Sequence, residues 1–493
     1  MRHPNVKDGR KSPFVIAAGE YGIDRPGSLE CDERTLDALD MALRPAITSS
    51  MVMIPGEPVH LSLTHPDDLL DDLDAALDEA GARPVMKVGP VHDEGHLAVL
   101  LHALEGAEAR VILDGDVFAS LSENHLDAET TAFIKKNVFP VTALFTPDID
   151  EAEQLLNRPI TGYEQMALAA EEIAGMGPKA VLLKGGQLPG GTAVFDYFTD
   201  GTDRYWVATN RLPPQRVSEH KGMIANLAAA IAAGLAHGLE MRDAVVMARG
   251  FMQRAYRAGV EEPPPFPCEP VDFPWVARHP VSGQPPFPVI EGPWPDFYPI
   301  VDSFDWVKRL AACGVKTIQL RVKNLEGAAL EDGIQKSVAL CREKNIRLFI
   351  NDFWRLALRH GAYGVHLGQE DIVTADTAAI RAAGLRLGVS THCYHEAAVA
   401  HGLRPSYIAL GPIYPTKIKA MPFPPQGADT LKLWKKLFGY PLAAIGGITL
   451  ERAGVVLDAG ADMVSVITDV TQHSDPEARA RAWLKRLGGQ GCI

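Results

Sequence analysis

At 493 residues the chain is too long for one hydrophobic core, and two or three domains are expected. Hydrophobic content of 46% and charged content of 22% are ordinary for soluble globular protein, while a net charge of −14 argues against nucleic acid or an anionic membrane as the main partner. Cations that matter should therefore sit locally, inside a pocket.

The N-terminus begins with a polar tail, residues 1–12, and the first apolar run, 14–18, is too short for a signal peptide. Strand-like runs follow at 14–18, 47–54, 85–89, 110–114, 142–145, 180–184, 194–198 and 205–208. Helical stretches lie between several of them, such as the acidic segment 67–80, which carries Leu69, Leu70, Leu73 and Leu77 on one face. The alternation predicts an open, mostly parallel α/β sheet over residues 13–257. The most apolar stretch, 225–239, is interrupted by Asn226, Gly234 and His237 and reads as a buried helix, not a membrane span. Six cysteines (Cys31, Cys268, Cys313, Cys341, Cys393 and Cys492) show no paired or metal-type spacing, which fits a reducing compartment. A cytoplasmic protein is expected.

Residues 258–296 hold twelve prolines, which disfavour helix and sheet, yet also Phe266, Phe273, Trp275, Phe287 and Trp294. So many aromatics predict a linker packed across one or both domains. From 297 to 490, eight short apolar runs alternate with helical stretches: 298–302, 317–321, 348–352, 363–371, 387–390, 407–412, 443–447 and 463–468. Continuous apolar runs suit parallel strands buried on both faces, and eight of them predict a (β/α)8 TIM barrel.

Nearly every run ends in a polar or small residue, where such barrels keep their chemistry. Arg321 and Lys323, two residues apart, point to one side of an extended chain, and Lys419 follows the sixth run. Three converging cations suit a pyrophosphate. Asp352 and Asp371 could share one Mg²⁺ completed by phosphate oxygens and water. Amides at Gly447, Ile467 and Thr468 are placed to bind a second phosphate. Taken singly, Arg-x-Lys is a solvated pair, Asn-Asp a turn and Gly-Gly tight packing. Only their joint placement at strand ends points to two phosphorylated ligands. His366, inside an apolar run, reads as a satisfied core histidine, and Cys393 and His395 lack partners for nucleophilic catalysis.

Six ordered motifs make a specific match: Gln319-Leu-Arg-Val-Lys323, Phe349-Ile-Asn-Asp352, Gly364-Val-His-Leu-Gly-Gln-Glu-Asp371, Gly388-Val-Ser-Thr-His392, Gly411-Pro-Ile-Tyr-Pro-Thr416 with Lys419, and Ala444-Ile-Gly-Gly-Ile448. On them, residues from about 298 to 487 resemble thiamine-phosphate synthase, a barrel enzyme joining a pyrimidine pyrophosphate to a thiazole phosphate. The resemblance implies that Gln319, Arg321, Lys323, Asn351 and Ser390 hold the pyrimidine pyrophosphate, that Asp352 and Asp371 bind Mg²⁺, and that Thr416 belongs to the substrate site. It further implies that Lys419 grips the leaving group while Gly447, Ile467 and Thr468 offer amides to the thiazole phosphate. The implied chemistry is dissociative: pyrophosphate departs, a pyrimidine methyl cation forms, and the thiazole nitrogen captures it. One departure is Ile418 where the family usually has a threonine, which removes a hydrogen bond of about 0.5–1.5 kcal/mol. A thiazole tautomerase, the related barrel branch, would leave Arg321, Lys323, Asp352 and Asp371 without purpose.

The front domain, by residues 14–19, Met86-Lys-Val-Gly89, Val111-Ile-Leu-Asp114, Thr146-Pro-Asp-Ile-Asp-Glu-Ala152 and Val181-Leu-Leu-Lys-Gly-Gly186, resembles hydroxymethylpyrimidine phosphate kinase, which is ribokinase-like. The family's Gly-Thr-Gly-Cys anion hole corresponds to Gly222-Met223-Ile224-Ala225, where bulky side chains crowd the amides and Ala225 takes no proton. The pyrimidine loop is replaced by 19–24, and Asp-Pro-Val by Asp114-Gly-Asp-Val117. These losses imply a non-catalytic remnant in which Asp114 and Lys184 serve the fold, although His220 or Lys221 could restore phosphate binding. The alternatives are a two-step enzyme that also phosphorylates pyrimidine phosphate with ATP, and a non-catalytic binding or scaffolding protein. The expected partners are small molecules, with homo-oligomers compatible with the sequence.

Overall fold

A strand buried on both faces is built mainly of apolar residues, and the runs at 85–88, 181–183, 407–410 and 463–466 are buried throughout, with Lys87 and Ser465 as the polar exceptions. In the computed structural model, residues 13–23, 27–52, 60–117, 128–213, 226–259, 263–281, 283–416 and 424–488 are described. The chain divides into two compact units, Met1–Ser282 and Gly283–Ile493.

The first unit is built on a ten-stranded sheet: β1 (Phe14–Gly22), β2 (Ala42–Val52), β3 (His60–Leu63), β4 (Val85–Val88), β5 (Arg110–Asp114), β6 (Thr142–Thr146), β7 (Val181–Leu183), β8 (Ala193–Thr199), β9 (Arg204–Asn210) and β10 (Trp275–Ala277). Their spatial order is β10-β9-β8-β7-β6-β5-β4-β1-β2-β3. The centre is parallel, from β2 through β7, whereas β3 at one edge and β8, β9 and β10 at the other run antiparallel. This is the open, ribokinase-like α/β sheet the sequence predicts, with antiparallel edges and two extra strands. All four residues of β3 are exposed, so it leaves no apolar run. β10 lies in the proline-rich segment, where Val276 pairs with Val207 and Phe273 and Cys268 are buried. The helix Leu227–Ala236 buries every residue from 228 to 235, and Asn226 caps it by accepting from the Ala229 amide. Among the described residues no helix is long and apolar enough to cross a membrane.

The second unit is a closed parallel barrel of β11 (Asp296–Val301), β12 (Thr317–Leu320), β13 (Arg347–Asn351), β14 (Gly364–Leu367), β15 (Arg386–Thr391), β16 (Tyr407–Leu410), β17 (Leu442–Ile445) and β18 (Met463–Val466). β18 pairs with β11 and closes it. The end of the proline-rich segment belongs to this unit: Phe287 and Ile290 are buried, and the Phe287 amide donates to the Arg404 carbonyl at 2.9 Å. Inside the barrel, Tyr298, Phe349 and Tyr407 meet edge-to-face, with ring centroids 5.2–5.8 Å apart. Gly388 makes that possible, because a β-carbon there would fall on the Tyr407 ring.

Candidate active site

The barrel strands are parallel, so residues at their C-terminal ends gather at one mouth. Arg321 directly follows β12, Asn351 ends β13 with Asp352 next, and Asp371 stands in the short helix Gln369–Ile372 after β14. Ser390 is the penultimate residue of β15, Thr416 lies beyond β16, Gly447 follows β17, and Ile467 and Thr468 follow β18. Gln319 lies within β12, buried and facing the interior. Lys419 and Ile418 lie outside the described residues.

Asp352 is the hub. Its Oδ2 accepts from Lys323 Nζ at 2.6 Å and its Oδ1 from Asn351 Nδ2 at 2.6 Å. Its backbone is left-handed, with φ at 64°, a conformation that costs a non-glycine residue about 1–3 kcal/mol and often marks a functional site. Burial, and after it the neighbouring Asp352 carboxylate, raise the Asp371 pKa. Asn351 Oδ1 is buried beside them with no partner among the described residues. Two carboxylates brought to one mouth suit a divalent cation. Among the described residues no group of three or more His, Cys, Asp or Glu side chains could hold a metal, so the remaining ligands would be water and phosphate oxygens, which is the habit of Mg²⁺. Arg321 makes no ion pair among the described residues and is half-buried, so its charge is free for an anion. Gly447 has φ at 62°, and a β-carbon on it would strike Tyr414 and the Pro415 carbonyl. That is the tight packing a glycine permits.

Sequence reasoning missed what supports these groups. Gln319 Nε2 donates to the Tyr298 hydroxyl at 3.0 Å, Tyr298 and Tyr407 share a hydrogen bond at 2.7 Å, Tyr407 meets His366 Nδ1 at 2.6 Å, and His366 Nε2 meets Ser390 Oγ at 2.8 Å. Gln369 Nε2 donates to the Ser390 carbonyl at 2.6 Å. His366 is the satisfied core histidine expected of it, and burial pushes its pKa down to about 4. Its unfolded pKa is near 6.5, so between those values the unfolded chain binds the proton that the folded barrel excludes. Stability should therefore be complete above pH 6.5 and fall by roughly 3 kcal/mol as pH drops to about 4. Urea titrations of the barrel transition across that range would show it, and His366→Gln should flatten the dependence.

The first unit gathers charge at its own strand ends. Lys87 Nζ is 2.9 Å from Asp32 and 3.9 Å from Asp114, and both Lys87 and Asp32 are wholly buried. Asp114 also meets Lys184 at 3.6 Å and accepts from Asn226 at 2.8 Å. Glu151 folds into a capping box with Asp148, occupying the space that a side chain on Gly115 would need. Burial lifts its pKa to about 8. Gly222, Met223, Ile224 and Ala225, with His220 and Lys221, lie outside the described residues.

A closed parallel barrel with two carboxylates, an arginine that makes no ion pair among the described residues and glycine turns at one mouth has the architecture of a (β/α)8 enzyme. A sequence model described as thiamine monophosphate synthase matches residues 297–470, and one described as phosphomethylpyrimidine kinase matches residues 28–263. The thiamine-phosphate synthase of Rhizobium etli is 51% identical over 189 residues, 38% of this chain and 93% of that protein; the Citrobacter koseri thiamine-phosphate synthase is 50% identical over 209 residues, 42% and 98% respectively. This chain belongs to the thiamine-phosphate synthase family, with a phosphomethylpyrimidine kinase-like unit in front. A solved phosphomethylpyrimidine kinase from Clostridium difficile 630 is 22% identical, covering 48% of this chain and 96% of that one, with a TM-score of 0.40.

Proposed function

We propose that the barrel condenses hydroxymethylpyrimidine pyrophosphate with thiazole phosphate, giving thiamine phosphate and pyrophosphate. The observation that carries this reading is the Asp352–Asp371 pair flanked by Lys323 and Arg321 at the strand ends. Asp352 and Asp371 would hold Mg²⁺, which supplies positive charge to the leaving pyrophosphate. Arg321, Lys323 and Lys419 bind the same anion, and removing it from the pyrimidine carbon needs no protein nucleophile or general base. Gln319, Asn351, Ser390 and Thr416 seat the pyrimidine portion, while the amides of Gly447, Ile467 and Thr468 take the thiazole phosphate. Turnover of the two purified substrates with Mg²⁺ tests the reading; no thiamine phosphate from the intact protein would defeat it.

The front unit, residues 13–257, is proposed as non-catalytic. Support comes from Met223, Ile224 and Ala225 in place of the anion hole, and from Glu151 being tied into its capping box with Asp148. The two-step alternative draws on Lys184 and Asp114 meeting at the strand ends, as a phosphate site requires. Supplied with pyrimidine monophosphate, thiazole phosphate, ATP and Mg²⁺, the protein should form no thiamine phosphate, and should form it once the pyrophosphate replaces the monophosphate. Product from the monophosphate would establish the two-step enzyme.

A further inference from the structure

With Gln319 Nε2 facing Tyr298, the buried relay from Gln319 to Ser390 has one polarity that uses all its protons. A glutamine amide nitrogen can only donate, so the Tyr298 oxygen accepts from Gln319. Tyr298, 1% exposed, must then place its own proton, and its only other partner among the described residues is Tyr407. A buried hydroxyl left without an acceptor would cost about 1–3 kcal/mol, so Tyr298 donates to Tyr407. Tyr407 in turn donates to His366 Nδ1, which leaves the imidazole proton on Nε2, donating to Ser390 Oγ. The two ends are thereby fixed. Gln319 turns its amide nitrogen inward and keeps its carbonyl oxygen, which has no donor among the described residues, for the mouth. Ser390 has its oxygen engaged from within and its proton free to point outward.

We propose that Tyr298, Tyr407 and His366 are positioning residues, a one-way hydrogen-bond relay that presents Gln319 as an acceptor and Ser390 as a donor to the pyrimidine. The inference rests on the reading of the mouth as the pyrimidine pyrophosphate site. An aminopyrimidine offers both complements, an exocyclic amino group for the Gln319 oxygen and a ring nitrogen for the Ser390 proton. Reversing the relay would turn the Ser390 proton inward to His366 and leave the Ser390 oxygen facing the ring nitrogen, two acceptors with no proton between them.

Tyr407→Phe deletes one hydroxyl and frees His366 to adopt the other tautomer. With Mg²⁺ and both substrates, KM for the pyrimidine pyrophosphate should rise about three- to tenfold, the worth of one hydrogen bond, while KM for the thiazole phosphate should stay within about twofold. In a Ser390→Ala background the Tyr407→Phe change should add almost nothing, because its effect passes through that serine. Tyr298→Phe should behave likewise toward Gln319→Ala, and covers the case in which Tyr407→Phe misfolds on melting. Multiplicative effects in both cycles, equal rises in the two KM values, or unchanged kinetics in Tyr407→Phe and Tyr298→Phe while Ser390→Ala is impaired would each overturn the relay alone. Unchanged pyrimidine KM in both Ser390→Ala and Gln319→Ala would remove the pyrimidine site itself, and the relay with it.

Discussion

Asp352→Asn should lower the synthase rate on the order of a hundred- to a thousandfold, the several kcal/mol that a bound cation contributes to stabilising charge in a transition state. Asparagine keeps the shape and tolerates the left-handed backbone at φ 64°, so the fold should survive. What is lost is the charge that balances Lys323 at 2.6 Å and, with Asp371, would carry the Mg²⁺. Asp352→Ala should be equally slow and less stable by about 1 kcal/mol, since alanine lacks the local hydrogen bond that eases a positive φ. The Mg²⁺ concentration needed for half-maximal rate should climb in both variants. An unchanged rate in Asp352→Asn would remove the metal assignment, whereas slow turnover with unchanged Mg²⁺ dependence would move Asp352 from ligand to simple partner of Lys323.

The barrel was legible because its strands are buried on both faces, so most show as a largely apolar run ending where the chain turns polar. β3 escaped because His60, Leu61, Ser62 and Leu63 are all exposed, and β10 because three residues amid prolines carry no period. The mouth was legible for a related reason. Arg321 and Asp352 are charges placed at the ends of apolar runs, and Asp371 follows four residues after another, where a structural role is hard to supply. The relay was not, since Tyr298 and Tyr407 each begin a run in which an aromatic ring is ordinary core. Only the structure shows that their hydroxyls face each other across the barrel at 2.7 Å.

Lys87 shows the same blindness in the first unit. It sits inside the run 85–88, and nothing in that spacing says whether the ammonium reaches water; it is wholly buried, 2.9 Å from an equally buried Asp32. Burial lifts the Asp32 pKa to about 6, and Lys87 is what keeps it that low, so the pair is ionised at neutral pH. Lys87→Met should therefore destabilise the first unit by about 3–5 kcal/mol at pH 7–8, because Asp32 is left as a buried charge without a counterion. Asp114 fares better, retaining Lys184 and Asn226. In the variant the folded pKa of Asp32 climbs further above its unfolded value near 3.8. A group with a raised folded pKa binds its proton in the folded state, so the variant's deficit shrinks as pH falls and grows as pH rises. Calorimetry of the first unit's transition at pH 5.5 and pH 8 should resolve this. Adding Asp32→Leu to Lys87→Met should recover most of the loss, since an apolar pair replaces a broken ionic one. A single variant that melts with the wild type at both pH values would mean that water reaches Asp32 and that the pair contributes nothing to the fold.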